Sequence, residues 1–266
     1  MKTAVLHHDD PDGYVSAYIV GKSIHIDEYV EVNYNIDIVD IVKKYDSVYI
    51  VDLSMKEDTL KKLSKLNCDI IWIDHHKTSL NLGDYDNIHK IVDTSRAACE
   101  LVWEFFNISE MPDLVKFVGD YDTWSKKFQE SEYLSYYFRL SGLKPPNNPI
   151  WDAMADDINR FVNYGKIAMS FYHEDWKTVL LNMSFEVVMG EFYGLCLNVP
   201  HKTSLVFGDK INDYDFVSVF NHDGERFNVS LYSSKIDVSK LAVKNGGGGH
   251  KSAAGFSCNN LPWRKI

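Results

Sequence analysis

Three short clusters of aspartate and histidine residues in this chain are candidates for binding metal ions. The first is His7-His8-Asp9-Asp10-Pro11-Asp12-Gly13, the second is the single residue Asp52, and the third is Asp74-His75-His76. Carboxylate and imidazole groups suit Mn²⁺, Zn²⁺ or Mg²⁺, and no thiolate is present to favour a softer ion. Together the clusters supply enough ligands for two ions about 3.5–4 Å apart, the spacing of two-metal hydrolytic sites.

Each cluster taken alone has an ordinary structural explanation. Asp-Pro-Asp-Gly is good turn chemistry, and a lone Asp52 reads as a loop aspartate. Asp74-His75-His76 reads as a polar strand end, although an adjacent carboxylate can orient a ligand imidazole through its second nitrogen. Residues 119–124, which contain two aspartates, are consistent with a helix end. The prediction of a metal site therefore depends on the combination of clusters.

The segments that precede these clusters predict how the clusters are positioned. Residues 3–6, 48–51 and 70–73 are short runs rich in Val and Ile, which is typical of buried strands. They alternate with helix-like stretches at residues 14–22, 36–45, 56–67, 96–106 and 112–120. This alternation predicts an α/β fold with a parallel sheet flanked by helices. Ligands bind at the carboxyl ends of such strands, so we expect the three clusters to converge there.

The second half of the chain has a different pattern. Turn residues concentrate at 141–149, and residues 151–182 read as one or two long helices. Strand-like runs follow at 186–189, 196–199, 204–207, 216–220 and 228–232, with a hairpin turn at 221–224. We therefore predict a catalytic domain at residues 1–145, a helical linker at 146–183, and a smaller mixed α/β domain at 184–266, with the two domains facing each other across a cleft.

A run of four glycines at residues 246–249, followed by His250, is the main candidate binding segment of the second half. Consecutive glycines are entropically costly and serve where a backbone must approach another group closely. Ser252-Ala253-Ala254 reads as a helix start, and exposed amides before a helix bind anions. A flexible linker is the alternative, but linkers usually mix Ser with Gly. The segment is thus predicted to hold a phosphate.

Composition and charge restrict the classes of partner and compartment. The 266 residues include 28 Lys and Arg against 38 Asp and Glu, a formal charge of −10. No basic run is present to neutralise many phosphates, which argues against long duplex nucleic acids as partners. The apolar stretches are too short to span a bilayer. The four cysteines form no disulfide framework and no leader is recognisable, so we expect a cytoplasmic protein.

In chain order, the three clusters and Asp120 resemble the four motifs of the DHH phosphoesterase family. The matching residues are His8-Asp9-Asp10-Pro11-Asp12-Gly13, Asp52, Asp74-His75-His76 and Asp120. Residues 246–255 resemble the G-G-G-H-x-x-A-A-G signature of the DHH-associated C-terminal domain. The resemblance spans nearly the whole chain. The family includes RecJ-like nucleases, phosphodiesterases of short oligonucleotides or cyclic dinucleotides, and family II pyrophosphatases, of which the last have a different C-terminal domain.

The resemblance implies roles for individual residues around two Mn²⁺ ions, with Mg²⁺ or another divalent ion as the alternative. One ion would be bound by His8, Asp10 and Asp52. The other would be bound by Asp12, Asp52, His75 and Asp120. His76 would contact the scissile phosphate, and Asp74 would orient a histidine. Substrate would also be bound by Gly247, Gly248, Gly249 and His250. His7 could replace His8, and Asp122 could exchange roles with Asp120.

The implied function is hydrolysis of phosphodiester bonds in short oligonucleotides or small nucleotides. The alternatives are a cyclic nucleotide or cyclic dinucleotide phosphodiesterase, and a phosphatase of 3′-phosphoadenosine 5′-phosphate. A catalytically silent nucleotide-binding module is less favoured because every expected ligand position is filled. Tyr232 replaces an arginine of the family motif S-L-R-S, so one charged phosphate contact is lost. A homodimer is a further expectation.

Overall fold

The computed structural model describes residues 1–33, 36–106, 110–200 and 204–266. The chain divides into two compact units, Met1–Met169 and Ser170–Ile266. The strands of the first unit are β1 (Thr3–His7), β2 (Glu28–Glu31), β3 (Ser47–Val51), β4 (Asp69–Asp74) and β5 (Ile88–Val92). Its helices are α1 (Pro11–Ser23), α2 (Val39–Val42), α3 (Glu57–Leu63), α4 (Ala98–Phe105), α5 (Asp113–Asp122), α6 (Gln129–Ser141), α7 (Ile150–Asp156) and the first part of α8 (Ile158–Met183).

Within the described residues, five strands form a parallel sheet in the order β2-β1-β3-β4-β5. The register places the carboxyl ends of three strands side by side, since Val51 pairs with His7 on one side and with Ile73 on the other. The residues that follow these strands therefore emerge at one edge of the sheet. The predicted parallel α/β architecture is confirmed.

The apolar runs of the strands are explained by burial on both faces of the sheet. On β1, Val5 packs into a core with α1, α4 and α5, while Ala4 and Leu6 pack into a second core with α2 and α3. The middle strands of a parallel sheet covered by helices on both faces read as continuous rather than alternating hydrophobic runs. This double-sided packing fixes the sheet edge that carries the acidic clusters.

The division between the units falls inside α8, within the segment predicted as a linker. Trp151 of α7 is fully buried, and it joins Phe161 and Val162 of α8 in the core of the first unit. The indole Nε1 of Trp151 donates to the carbonyl oxygens of Lys144 and Pro145. Part of the predicted linker therefore packs as an integral element of the first unit. Among the described residues, none of the helices combines the length and the hydropathy that a membrane crossing requires.

In the described part of the second unit, the end of α8 is followed by a mixed sheet and an α-helix, α9 (Val238–Lys244). Its strands are β6 (Ser184–Met189), β7 (Phe192–Asn198), β8 (Phe216–His222), β9 (Phe227–Tyr232), β10 (Gly248–Gly249), β11 (Ala253–Cys258) and β12 (Arg264–Lys265). Their order is β10-β11-β9-β8-β7-β6-β12, and only the β7–β8 pair of these described strands is parallel. The predicted mixed second domain and the hairpin between β8 and β9 are confirmed.

One predicted strand of the second half, residues 204–207, is wrong. The segment belongs to a 3₁₀ helix over Ser204–Asn212, and Val206 and Phe207 are buried against β7 and β8. A short apolar run reads the same whether it is buried in a strand or in a helical turn. Gly208, with a φ of 49°, then redirects the chain in a conformation that favours glycine.

Candidate metal centre

Asp52 occupies the centre of the sheet edge because it directly follows the middle strand β3. Its φ of 55° places it in the left-handed region, which Asp and Asn adopt more readily than other non-glycine residues. Its backbone N–H donates to the carbonyl oxygen of Ile73 at 3.0 Å, which ties the turn to β4. The Asp52 side chain is only 1% exposed. The backbone thus holds this carboxylate inside the protein at the strand ends.

The residues after β1 form the start of α1 and place two more carboxylates at the same edge. Asp10 is the N-cap of the helix, and its Oδ1 accepts from the backbone N–H of Gly13 at 2.9 Å. A Cβ on Gly13 would lie 2.4 Å from the carbonyl oxygen of His8, so the close turn requires glycine. His8 Nδ1 lies 2.7 Å from Asp10 Oδ2. The His-x-Asp-x-Asp-Gly motif is therefore folded as one compact turn.

The cluster is organised around Asp52, whose two oxygens face different neighbours. Asp52 Oδ2 lies 3.7 Å from His8 Nδ1, and Asp52 Oδ1 lies 3.3 Å from His75 Nε2. His75 Nε2 also lies 3.3 Å from Asp122 Oδ2 and 3.7 Å from Asp12 Oδ2. Three groups of side chains have ligand atoms within 4.8 Å of one another: His8, Asp10 and Asp52; Asp12, His75 and Asp122; and Asp52, His75 and His76.

The buried oxygen of Asp52 tests whether these residues fit a cation. Asp52 Oδ2 has no hydrogen-bond partner within the described residues. Burying a carboxylate oxygen without a donor or a cation is costly, so this atom is a natural metal ligand. The surrounding donors are carboxylates and imidazoles, which suit divalent ions of intermediate or hard character. The residues therefore fit divalent metal ions.

The electrostatics of the cluster point in the same direction. Burial, reinforced by neighbouring negative charges, raises the pKa of Asp12 and of Asp52. Partial burial and the charges of Asp12 and Asp10 raise the pKa of Asp122 to about 8. Bound cations would reverse this like-charge repulsion and favour the ionised carboxylates.

Two carboxylates hold neighbouring groups in fixed orientations. Asp12 accepts from the backbone N–H groups of Ala98 and Cys99, each at 2.8 Å, at the first turn of α4. The buried Asp74 accepts from His76 Nδ1 at 2.7 Å and from the hydroxyl of Ser79. The hydrogen bond from His76 to Asp74 raises the pKa of His76 despite partial burial. Asp74 thus fixes the orientation of the His76 ring.

The structure distinguishes His7 from His8, the two histidines that the sequence left as alternative ligands. His7 is buried, its Nδ1 lies 2.9 Å from the carbonyl oxygen of His8, and its ring packs edge-on against Tyr14 at 4.6 Å. Burial lowers the pKa of His7. His8 lies among the carboxylates instead. His8, and not His7, has its side chain in the cluster.

Asp120 does not face the cluster, which corrects its expected place. Its carboxylate accepts from the backbone N–H of Lys127 at 2.8 Å, that of Phe128 at 3.3 Å, and the Ser131 hydroxyl at 2.7 Å. These contacts fix the loop that leads into α6. Residues two apart on a helix point roughly 200° apart, so only one of the two aspartates can face the sheet edge. Asp122 is the one that does.

The glycine-rich segment lies in the second unit and is built differently from the prediction. Gly248 and Gly249 form the short strand β10, which pairs with β11, and His250 is exposed. Residues 253 and 254, expected at a helix start, belong to β11. A Cβ on Gly247 would lie 2.0 Å from the carbonyl oxygen of Gly255, whereas a Cβ on Gly248 would meet nothing within 4 Å. Packing therefore requires glycine at position 247 but not at position 248.

Sequence reasoning missed a pocket beside the cluster. It has a volume of about 280 Å³ and is lined by Asp10, Pro11, Asp12, Phe117, Val118, Tyr121, Asp122, Trp124, Ser131, Leu134, Ser135 and Phe138. The sequence signal for this pocket was the position of Tyr121 and Trp124 on either side of Asp122, within residues 119–124.

Residues 2–128 match the family model described as DHH family, N-terminal domain. The chain is 25% identical over 254 residues to the uncharacterized protein R106 of Acanthamoeba polyphaga mimivirus, a match that covers 88% of this chain and 59% of that protein. It is 24% identical over 285 residues to the oligoribonuclease NrnB of Bacillus subtilis, covering 94% of this chain and 71% of NrnB. The chain thus spans less than two thirds of the viral relative.

Solved structures share the fold at low sequence identity. The pGpG-specific phosphodiesterase PggH of Vibrio cholerae matches with a TM-score of 0.59 and 16% identity, covering 97% of this chain and 94% of that one. RecJ of Thermus thermophilus, solved in complex with Mn²⁺, matches with a TM-score of 0.59 and 13% identity, covering 97% of this chain and 49% of RecJ.

Proposed function

We propose that this chain is a phosphoesterase of the DHH family and that it hydrolyses phosphodiester bonds of short oligonucleotides or small nucleotides through a two-metal site. NrnB is named as an oligoribonuclease, and PggH is named as a phosphodiesterase specific for a linear dinucleotide. Both names describe short substrates. A net charge of −10 fits such substrates better than long strands, because a long strand needs an extended basic face.

The observation that carries the proposal is the position of Asp52. It is buried, one oxygen lies toward His8 and the other toward His75, and the oxygen toward His8 has no hydrogen-bond partner among the described residues. A carboxylate placed in this way between two donor groups is suited to bridging two cations. A single-metal or purely structural role would leave one side of the carboxylate unexplained.

We assign the two proposed metal positions to the clustered side chains. One set consists of His8, Asp10 and Asp52, and the other consists of Asp12, Asp52, His75 and Asp122. The mixture of imidazole and carboxylate donors favours Mn²⁺, with Mg²⁺ or another divalent ion as the alternative. When bound, such ions supply a water nucleophile at neutral pH and stabilise negative charge on the phosphoryl oxygens.

The protein's own groups orient these ligands and the substrate. Amides at the start of α4 hold both oxygens of Asp12, and Asp74 holds the ring of His76. Because its pKa is raised, His76 stays protonated up to a higher pH than an ordinary histidine. It can therefore donate a hydrogen bond to a phosphate oxygen. We therefore propose His76 as the residue that contacts the scissile phosphate, and Asp74 as the group that positions it.

We propose that the second unit contains a further substrate-binding segment. Gly247, Gly248, Gly249 and His250 are the candidates, because all four residues are exposed beside the β10–β11 hairpin, although the N–H groups of Gly247 and His250 already donate to the carbonyl oxygens of Ala242 and Ala253. Tyr232, on the adjacent strand β9, offers one hydroxyl in place of the arginine fork of the family motif. We expect this difference to weaken the recognition of a terminal phosphate.

The test is hydrolysis of a substrate panel by metal-stripped and Mn²⁺-reconstituted protein. The panel contains di- to pentaribonucleotides, linear and cyclic dinucleotides, cyclic AMP, 3′-phosphoadenosine 5′-phosphate and pyrophosphate. We expect turnover of di- to pentanucleotides that chelation abolishes and Mn²⁺ restores. Turnover confined to a cyclic nucleotide or to the bisphosphate would assign the corresponding alternative. Binding without turnover of any member would identify a silent nucleotide-binding module.

A further inference from the structure

We propose that the pocket beside the metal-ligand cluster binds the nucleobase next to the scissile phosphate, and that Trp124 is the surface on which this base stacks. The proposal deepens the proposed function and rests on it. Trp124 lies in the loop between α5 and α6, directly after the segment that supplies Asp122. This binding subsite and its aromatic residue are additional to the residues that the sequence motifs indicate.

The composition of the pocket fits an uncharged planar group attached to a phosphate. Asp10, Asp12 and Asp122 line one side, and the same residues belong to the metal-ligand cluster. The other walls are mainly apolar, with contributions from α5 and α6. A group held in this pocket is therefore adjacent to any phosphate held at the cluster. The volume of about 280 Å³ lies near the lower limit of small-molecule pockets, so it suits one base rather than a whole dinucleotide.

Trp124 is presented to the pocket in a way that ordinary core packing does not explain. Its side chain is 52% exposed, although tryptophan usually buries most of its surface. Its φ of 56° lies in the left-handed region, which is an uncommon conformation for a bulky side chain. Such conformations concentrate at functional sites, because the surrounding structure has to enforce them.

Neighbouring groups fix both the ring and the loop that carries it. The Trp124 ring packs edge-on against Tyr121 at 5.6 Å between centroids, and the Lys126 ammonium lies 4.3 Å from the indole centroid. The Asp120 carboxylate accepts hydrogen bonds from the backbone N–H of Lys127 and from the Ser131 hydroxyl. The backbone carbonyl oxygen of Asp120 accepts from the N–H of Ser125 at 3.0 Å. Asp120 thus positions the loop of Trp124, while Asp122 faces the cluster.

Stacking, rather than reading of the base edge, dominates the expected recognition. The two serines of the pocket, Ser131 and Ser135, each already donate a hydrogen bond, to Asp120 Oδ2 and to the carbonyl oxygen of Glu132 respectively. Aromatic stacking accepts every base because each base has a π-face. We therefore expect binding of a base with little discrimination among sequences.

The first experiment compares Trp124→Ala with wild type on matched dinucleotides that carry both bases or lack one of them. For the intact dinucleotide we expect the substitution to raise KM about 10-fold with little change in kcat, within the range of base–aromatic stacking. Removing the contacted base from the substrate should abolish this difference, as a double-mutant cycle requires. Trp124→Phe should restore most of the affinity. An equal KM change on every substrate, including both abasic ones, would assign Trp124 a structural role and overturn the proposal.

The second experiment measures binding alone and so separates this proposal from the proposed activity. AMP and ribose 5-phosphate, which lacks the base, are titrated by calorimetry into the Mn²⁺-treated 266-residue protein. Wild type should bind AMP about 10-fold more tightly than ribose 5-phosphate. This ratio of the two affinities should fall to about one in Trp124→Ala. Tyr164→Ala, which removes an exposed ring that does not line the pocket, is the control and should keep the wild-type ratio.

A wild-type ratio near one, or a ratio that Trp124→Ala leaves unchanged, overturns the base-binding pocket even if the enzyme hydrolyses oligonucleotides. A ratio that depends on Trp124 in a protein that hydrolyses no member of the panel supports the pocket and contradicts the proposed activity.

Discussion

The sheet edge of the first unit and the glycine-rich hairpin of the second were both expected to bind parts of a substrate, yet they are built in opposite ways. At the sheet edge, Asp12 and Asp52 are buried and held by backbone contacts. The hairpin residues Gly248 and His250 are exposed and are organised by a strand ladder. The comparison teaches that the first region depends on which side chains the fold brings together, whereas the second is an exposed segment whose backbone is largely engaged in pairing.

The largest expected effect is that of Asp52→Asn. Asparagine keeps the side-chain size and tolerates the left-handed backbone, but it removes the shared charge. We expect a loss of at least ~10³-fold in kcat and more than ~100-fold in Mn²⁺ affinity, since even groups that only orient ligands account for about 10–100-fold. Activity assays and metal titration measure these losses. The metal-free variant should melt no lower than wild type, because burial and neighbouring carboxylates already disfavour the Asp52 charge.

The matched control is Asp69→Asn at the opposite, exposed end of β4. It should leave kcat and Mn²⁺ affinity within about twofold of wild type, as is usual for surface substitutions. Near-normal turnover by Asp52→Asn would contradict the bridging assignment.

The second expected effect distinguishes the roles of Asp120 and Asp122. Asp122→Asn should lower Mn²⁺ affinity by ~10–100-fold without destabilising the metal-free protein. Asp120→Asn should instead lower the unfolding free energy by about 1–3 kcal/mol, because an amide group would face N–H donors, and should change Mn²⁺ affinity little. Calorimetric metal titration and chemical denaturation measure the two quantities. The reverse pattern would return Asp120 to the metal site.

The third expected effect concerns pH and the metal-free protein. An acid whose folded-state pKa is raised binds more protons in the native state, so its contribution to stability falls as pH rises from the ordinary value near 4 to the raised value. Asp122, with a pKa of about 8, gives a window of about pH 4–8. The raised pKa of His8 and His76 acts in the same direction above pH 6.5, because stability from a protonated imidazole is lost on deprotonation.

Thermal melts of chelator-treated protein should therefore show a Tm that falls between pH 5 and 8. Added Mn²⁺ should raise Tm more at pH 8 than at pH 5, because metal competes with protons for the same carboxylates. A Tm of metal-free protein that rises across this range would show that these carboxylates do not lie together in solution.

The smallest expected effect tests the glycine hairpin. Gly247→Ala should destabilise the protein by about 1–3 kcal/mol, because its Cβ would overlap the backbone of Gly255. Gly248→Ala meets no neighbour and should leave Tm unchanged. If a phosphate approaches the backbone there, the same substitution should raise KM several-fold. Thermal melts and steady-state kinetics separate the two, and an unchanged KM in Gly248→Ala would reduce the glycine run to a packing feature.

The sheet and most of the cluster could be predicted because each acidic segment directly follows an apolar strand. Parallel pairing then brings Asp52, His8 and His75 together with little dependence on detail. The glycine hairpin was harder to predict, since glycines required for phosphate binding and glycines required for packing against β11 look alike in a sequence. Only the contacts of Gly247 and Gly248 separate the two.

The choice between Asp120 and Asp122 was not predictable from spacing alone. Both aspartates lie in the last turns of α5, and which of them faces the sheet depends on the rotation of that helix. The rotation is set by the packing of Leu114, Val115 and Val118 in the core and by the hydrogen bonds of Asp120 with the α6 loop. The pocket next to Asp122 was missed for a similar reason, because the sequence does not show which aromatic side chains the fold leaves exposed.

The most direct test of the central claim is anomalous diffraction at the manganese absorption edge from crystals of the Mn²⁺-loaded protein. The account predicts two anomalous peaks per chain, one contacted by His8 and Asp10 and the other by His75 and Asp122, with Asp52 touching both. A single peak, or peaks that Asp52 does not contact, would contradict it.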